Sequence, residues 1–216
     1  VGDIFAWFTK LLPGTSHDQL TAAAAALAPG EHGLVALDWL GGNRSVLVDA
    51  GLSGVIAGLT LTTRPEEIYR ALLEATAFGT RMIIDTLRGS GVPVTEFVAA
   101  GGLIKNELLM QITADVLRYP VHVIGSAQAP ALGSAIHAAV AAGRYPDVPA
   151  AAAAMGRLRP RPYLPDPARA AVYDELYAEY RQLHDFFGRT DAGLLHRLRS
   201  VRDRHYSSHN EHGISG

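Results

Sequence analysis

VTEFVAAGGLIKNELLMQITADVLRYPVHVI, residues 94–124, holds the order of elements that decides the fold. A β-prone run over 94–100 meets the glycine pair Gly101-Gly102. Leu108, Leu109, Ile112 and Val116 then recur on one side of a helix predicted over 106–117, and Tyr119 to Ile124 returns as a short strand. Strand, crossover helix and strand make the unit of a parallel sheet. The glycine pair sits at the carboxyl end of its strand, where open α/β sheets bind ligands. Without a Cβ, glycine lets backbone approach a ligand and accepts positive φ. A helix starting near Lys105 aims free N–H groups and a partial positive charge at the same place. Asn106 adds an amide that donates and accepts, which suits an adenine or ribose edge. The same residues also spell a plain tight turn with Asn106 as a helix cap, and the pair alone leaves both open.

Outward from this unit the pattern repeats. Upstream, Thr63 and Glu66 predict a capping box for a helix from about Pro65 to Arg88, with Ile68, Leu72, Ala75, Phe78, Met82 and Ile83 near a 3.6 period. Before it, Gly33–Trp39 and Gly54–Leu61 read as strands around the Gly41-Gly42-Asn43-Arg44 turn. Thr15-Ser16 with Gln19 caps an Ala-rich helix stopped by Pro29-Gly30. Downstream, residues 129–142 form a small-residue helix, and a short Ala-rich helix lies among prolines from Pro146 to Pro165. A long helix follows over about 167–187, with Val172, Leu176, Tyr180, Leu183 and Phe187 as its expected buried stripe. A last helix spans roughly 191–204. Strands alternating with helices predict an α/β layered domain with a partly parallel sheet. We expect the domain over 1–165, helices packing on it over 166–204, and a disordered polar tail over 205–216.

Composition narrows the function. A net charge of −2 gives no electrostatic case for nucleic acid, and no apolar run reaches the roughly 18–20 residues that span a bilayer. The absence of cysteine excludes disulfides and thiolate chemistry. The opening VGDIFAWFTKLLPG lacks the charged and continuous apolar regions of a signal peptide and reads as the middle of a polypeptide. The expectation is a cytoplasmic protein whose segment 1–12 packs on residues outside this chain.

Candidate chemistry is sparse. The patterns G-x-x-x-x-G-K-[ST] and G-x-G-x-x-G are absent. Gln128 to Ala135 is a second small-residue strand-to-helix junction, where Ala131 and Gly133 permit close helix packing or close ligand approach. Asp38 and Asp49 lie in turns after strands without a visible partner, and Arg44 suits either a phosphate or a loop-pinning ion pair. His205, His209 and His212 have a spacing that binds metal only if helical and supported, and no supporting carboxylate is in sight. No catalytic base and no metal site emerge.

Residues 33–87 (GLVALDWLGGNRSVLVDAGLSGVIAGLTLTTRPEEIYRALLEATAFGTRMIIDTL), 99–117 (AAGGLIKNELLMQITADVL) and 128–143 (QAPALGSAIHAAVAAG), with the late helix AVYDELYAEYRQLHDFFGR, together resemble the C-terminal domain of the FGGY carbohydrate kinases. The resemblance covers about residues 1–204 and is strongest to the kinases of L-ribulose. It implies a ribonuclease-H-like, actin-like ATPase fold and Mg²⁺-ATP-dependent phosphorylation of a ketopentose, L-ribulose, in L-arabinose catabolism. It also implies that Gly101 and Gly102 lie against the nucleotide, that Asn106 faces the adenine, and that Ala131 and Gly133 belong to an interdomain connecting helix. By the same resemblance the aspartate base and most sugar contacts belong to an N-terminal kinase domain upstream of Val1, so this chain alone is expected to be inactive. A homodimer is one option for its assembly. Another FGGY kinase, for a different ketopentose or polyol, and a standalone nucleotide-binding module are the alternatives.

Overall fold

The computed structural model describes residues 2–126 and 128–211. In chain order these form α1 (Gly2–Lys10), α2 (His17–Ala25), β1 (Val35–Leu37), β2 (Val55–Ala57), α3 (Pro65–Gly89) and β3 (Val98–Ala99). A 3-10 turn (Gly102–Lys105), α4 (Glu107–Leu117) and β4 (His122–Val123) come next. Then follow α5 (Ala129–Ala141), α6 (Val148–Met155), α7 (Pro167–Asp185), a π-helical turn (Phe186–Thr190) and α8 (Ala192–Glu211).

The starts of these helices follow from local chemistry. The Ser16 hydroxyl accepts from the Gln19 N–H (3.2 Å) and the Gln19 carbonyl oxygen accepts from the Ser16 N–H (2.8 Å), a reciprocal capping box for α2. For α3 the box is displaced by one residue from the expected Thr63/Glu66. Arg64 is the N-cap, and Glu67 accepts from its backbone N–H (2.8 Å) and its guanidinium (3.0 Å). Thr63 instead accepts from the Thr60 N–H at 2.9 Å and ties off the preceding turn. Pro65 at the first helical position needs no N–H partner, which fixes the boundary.

The expected single sheet resolves into two short pairs. β1 and β2 are antiparallel, with Val35 opposite Ala57, and β3 and β4 are parallel, with Ala99 opposite Val123. α4 is the crossover between β3 and β4. The other edge of β4 is closed by the extended segment near Tyr163, through Val121 N–H to Tyr163 O (2.9 Å) and the reverse bond (3.0 Å). α3 runs between these pairs and contacts α1, α2, α4, α7 and β1, so the core forms around Leu72, Leu73, Phe78, Leu109, Ile112 and Trp39.

Two expectations about packing are corrected. The buried stripe of α7 is Ala170, Tyr173, Tyr177, Tyr180 and His184, while Val172, Leu176, Leu183 and Phe187 are only half-buried. Three tyrosine rings lie 5.5–6.2 Å from Phe78, and the Tyr173 and Tyr177 hydroxyls donate to Glu74 and Asp85. Tyrosine buries a large ring once its hydroxyl has a partner, and that partner is invisible in α7's own sequence. The second correction concerns α1. Ile4, Phe5 and Phe8 are buried inside this chain, with Phe5 and Phe8 5.6 and 6.2 Å from the Tyr69 ring. Finally, α8 continues to Glu211, beyond the expected stop at Arg204. The rest of the anticipated tail, including His212, lies outside the described residues.

Candidate functional site

His122 N–H donates to Phe97 O (3.0 Å) and Ile124 N–H donates to Ala99 O (3.1 Å), so β3 and β4 run parallel and end together. Beyond β3 comes Gly101-Gly102; beyond β4 come Gly125-Ser126 and the start of α5. The glycine pair and the α5 junction therefore leave the sheet side by side at one edge, the carboxyl edge that forms crevices in α/β folds. Gly101 adopts φ +92°, a conformation that L side chains rarely take, and a Cβ at either Gly101 or Gly102 would meet nothing within 4 Å. Both glycines are exposed. The turn is bare backbone facing open space, and none of the described residues fills it.

Asn106 is the N-cap of α4. Its Oδ1 accepts from the Leu109 N–H (2.9 Å) and its Nδ2 donates to Thr21 Oγ1 (3.3 Å). The cap reading of the sequence is thus realised, and one proton of Nδ2 stays uncommitted. Ala131 and Gly133 lie in the first turns of α5. Ala131 is exposed, Gly133 is half-buried, and a Cβ on Gly133 would meet nothing within 4 Å. α5 buries only Ile136 and packs chiefly on α6, leaving a small-residue face open beside the glycine turn.

The remaining candidates separate. Asp49 accepts from Gly51 N–H (2.8 Å) and pairs with His196 Nε2 (2.8 Å) on α8. The His196 hydrogen bond, with help from that amide, holds its carboxyl below the ordinary range. This pair, with Arg199 donating to Ala50 O (2.6 Å), pins α8 to the loop after β1. Among the described residues no three His, Asp or Glu side chains converge as metal ligands. Asp38 stands apart. Among the described residues no other residue donates to its carboxylate, and burial pushes its pKa up to about 6. It lines a cavity of about 600 Å³ with Trp39, Arg44 and Tyr180, and none of the lining residues comes from the Gly101 turn or α5. The sequence flagged Asp38 but could not supply this grouping, because Tyr180 reaches it from α7; the only local sign is Asp38-Trp39 set directly before Gly41-Gly42.

Residues 1–142 match the family model for the FGGY family of carbohydrate kinases, C-terminal domain. This chain belongs to that family, and its fold is the ribonuclease-H-like, actin-like C-terminal domain of sugar kinases. The particular likeness is to ribulokinases. The ribulokinase of Mycolicibacterium smegmatis is 56% identical over 214 residues, covering 94% of this chain and 38% of that protein. The ribulokinase of Halalkalibacterium halodurans is 50% identical over 221 residues, covering 94% of this chain and 39% of that protein. Among solved structures, xylulose kinase from Rhodospirillum rubrum superposes with a TM-score of 0.77 at 32% identity, covering 91% of this chain and 39% of that one. The chain spans about two fifths of the length of the relatives it matches. Among the described residues, no helix is long and apolar enough to cross a membrane.

Proposed function

We propose that this chain is the nucleotide-facing domain of an ATP-dependent kinase that phosphorylates L-ribulose. The observation that carries the reading is 50–56% identity to ribulokinases across nearly the whole chain, and the turn geometry supports it. Exposed Gly101-Gly102 backbone at the carboxyl edge, followed by the N-terminus of α4, presents N–H donors and a partial positive charge to a triphosphate. Asn106 reaches the adenine edge with the Nδ2 proton left free by Thr21. The open face of α5, with Ala131 and Gly133, docks against the domain that supplies the sugar site and the base.

Phosphoryl transfer depends on positioning and electrostatic stabilisation from both walls of a cleft. This chain provides one wall: it binds and orients ATP, and its isolated form transfers no phosphoryl group. Mg²⁺ bound to the triphosphate would offset part of its charge, and none of its ligands is assigned to residues of this chain. Protein–nucleotide contacts divided between two domains leave one domain with weak affinity, so sub-micromolar ATP binding by the 216-residue chain would contradict the reading.

A coupled assay of the full-length protein with L-ribulose, D-ribulose, xylulose and glycerol tests the substrate. L-ribulose is expected to give the highest kcat/KM. Preference for another of the four replaces the substrate while keeping the kinase, and no ATP-dependent turnover of any overturns the reading. Photoaffinity labelling with an azido-adenine nucleotide is expected to mark peptide 99–111.

A further inference from the structure

Asn106 is anchored at both ends of its amide, and the second anchor opens a chain of polar side chains. Oδ1 accepts from the Leu109 N–H (2.9 Å), and Nδ2 donates to Thr21 Oγ1 (3.3 Å) on α2. The Thr21 hydroxyl lies 3.4 Å from the Tyr69 hydroxyl on α3, which lies 3.5 Å from His17 Nδ1. His17 Nδ1 in turn meets Thr9 Oγ1 on α1 at 3.2 Å. Tyr69 is 2% exposed and its ring packs against Phe5 and Phe8, so the middle of the chain is set by the core. An amide nitrogen only donates. The Thr21 oxygen therefore accepts from Asn106 whichever way the proton lies between Thr21 and Tyr69.

Thr21 differs from the other helical threonines. Thr9, Thr76, Thr80, Thr86 and Thr113 each donate to the carbonyl four residues back, the local way for a helix to satisfy a hydroxyl. Thr21 makes no such bond, and its hydroxyl turns to two residues from other elements. It is the only hydroxyl residue in α2 and stands directly before Ala22 to Ala25, each a better helix former. Helix formation does not account for a threonine here; the contact with Asn106 does. Because the amide NH₂ is planar, pinning one Nδ2 proton on Thr21 fixes the direction of the other. A contacting group is precise only when such a partner locks its orientation.

We propose that Thr21 is a positioning residue for the nucleotide: through Asn106 it aims the one uncommitted amide proton beside the Gly101-Gly102 turn. Thr21 touches no reacting atom, and Tyr69 holds it in place. A donor already aimed before binding need not be ordered during binding, so the gain falls on nucleotide affinity and not on the transfer step. The proposal rests on the reading of Asn106 as a nucleotide contact, and an Asn106 variant tells the two apart.

In the full-length kinase, KM for ATP, KM for the sugar, kcat and melting temperature are measured for Thr21→Val, Thr21→Ser, Asn106→Ala and the combined Thr21→Val/Asn106→Ala. Valine keeps the branched shape of threonine without its hydroxyl, and serine keeps the hydroxyl. Thr21→Val is expected to raise KM for ATP about tenfold, roughly what one hydrogen bond contributes, with kcat and sugar KM unchanged. Thr21→Ser is expected to hold the parental KM. Once Asn106 is replaced by alanine, Thr21→Val should add nothing further, because the two act as one unit. A role confined to packing α2 would lower the melting temperature and leave KM for ATP unmoved, and that result overturns the proposal. So does an ATP defect shared equally by the valine and serine variants, or one that persists in full beside Asn106→Ala. A defect in Asn106→Ala with a parental KM in Thr21→Val overturns this proposal alone. A parental KM in Asn106→Ala overturns the nucleotide reading of Asn106, and this proposal with it.

Discussion

The carboxylate of Asp38 faces Gly79 and Tyr180, and burial raises its pKa from the ordinary 3.8 to about 6. Between those values the folded chain holds a proton that the unfolded chain has released. Stability from this group is therefore complete below pH 4 and lost as pH rises through 6. At pH 7 the ionised carboxylate costs on the order of 2 kcal/mol. Asp38→Asn is accordingly expected to raise the melting temperature at pH 7 by roughly 5 °C, a gain that shrinks below pH 6 and vanishes near pH 4. Thermal melts across that range check it, and an equal gain at pH 4 and pH 7 would remove burial as the cause. Asn106 makes a different demand. Asn106→Ala loses the cap of α4 and should cost about 1 kcal/mol. Asn106→Asp keeps an acceptor for Leu109 N–H but loses the Nδ2 donor. Unfolding and ATP titration of both variants separate the roles: Asp should retain stability yet lose nucleotide affinity if the amide faces the adenine.

Elements whose stability is local were legible from sequence, and elements whose burial depends on a distant partner were not. The unit β3–α4–β4 was anticipated because its apolar spacing and the Asn106 cap lie within one continuous stretch. Apart from Tyr180, the buried face of α7 escapes a sequence reading because Tyr173 buries its ring only where its hydroxyl donates to Glu74 and accepts from Arg70. That network links four segments. Glu74 accepts from Arg70 Nε (2.9 Å) and pairs with His32 Nε2 (3.0 Å), while Arg70 donates to the Ala24 and Leu27 carbonyls (2.7 Å each) that end α2. Leu34 N–H donates to His32 Nδ1, so Nε2 carries the ring proton toward Glu74. Removing one member of a buried ion pair leaves its partner's charge uncompensated. Glu74→Ala should therefore cost about 3–5 kcal/mol in urea unfolding, whereas Glu74→Gln, which keeps the shape and one acceptor, should cost clearly less. Equal losses would mean that the vacated volume, and not the stranded Arg70 charge, sets the penalty.

At the scale of the whole molecule, the sequence located the glycine turn and the α5 junction because each directly follows a strand, and parallel pairing brings them to one edge. The Asp38 cavity joins α1, the loop after β1, α3 and α7, so no stretch of sequence contains its pattern. The same assembly seats α1: Ile4, Phe5 and Phe8 enter the core against α3 while Trp7 turns to the cavity. Adjacent aromatic residues on one helix thus have opposite duties. Phe8→Ala opens a void in the core and is expected to cost about 3–5 kcal/mol, lowering the melting temperature by roughly 10 °C. Trp7→Ala removes a side chain that is 41% exposed and should cost about 1 kcal/mol or less. Melting curves of the two variants decide the matter. A large loss of stability in Trp7→Ala, or none in Phe8→Ala, would show that α1 is seated with its other face inward.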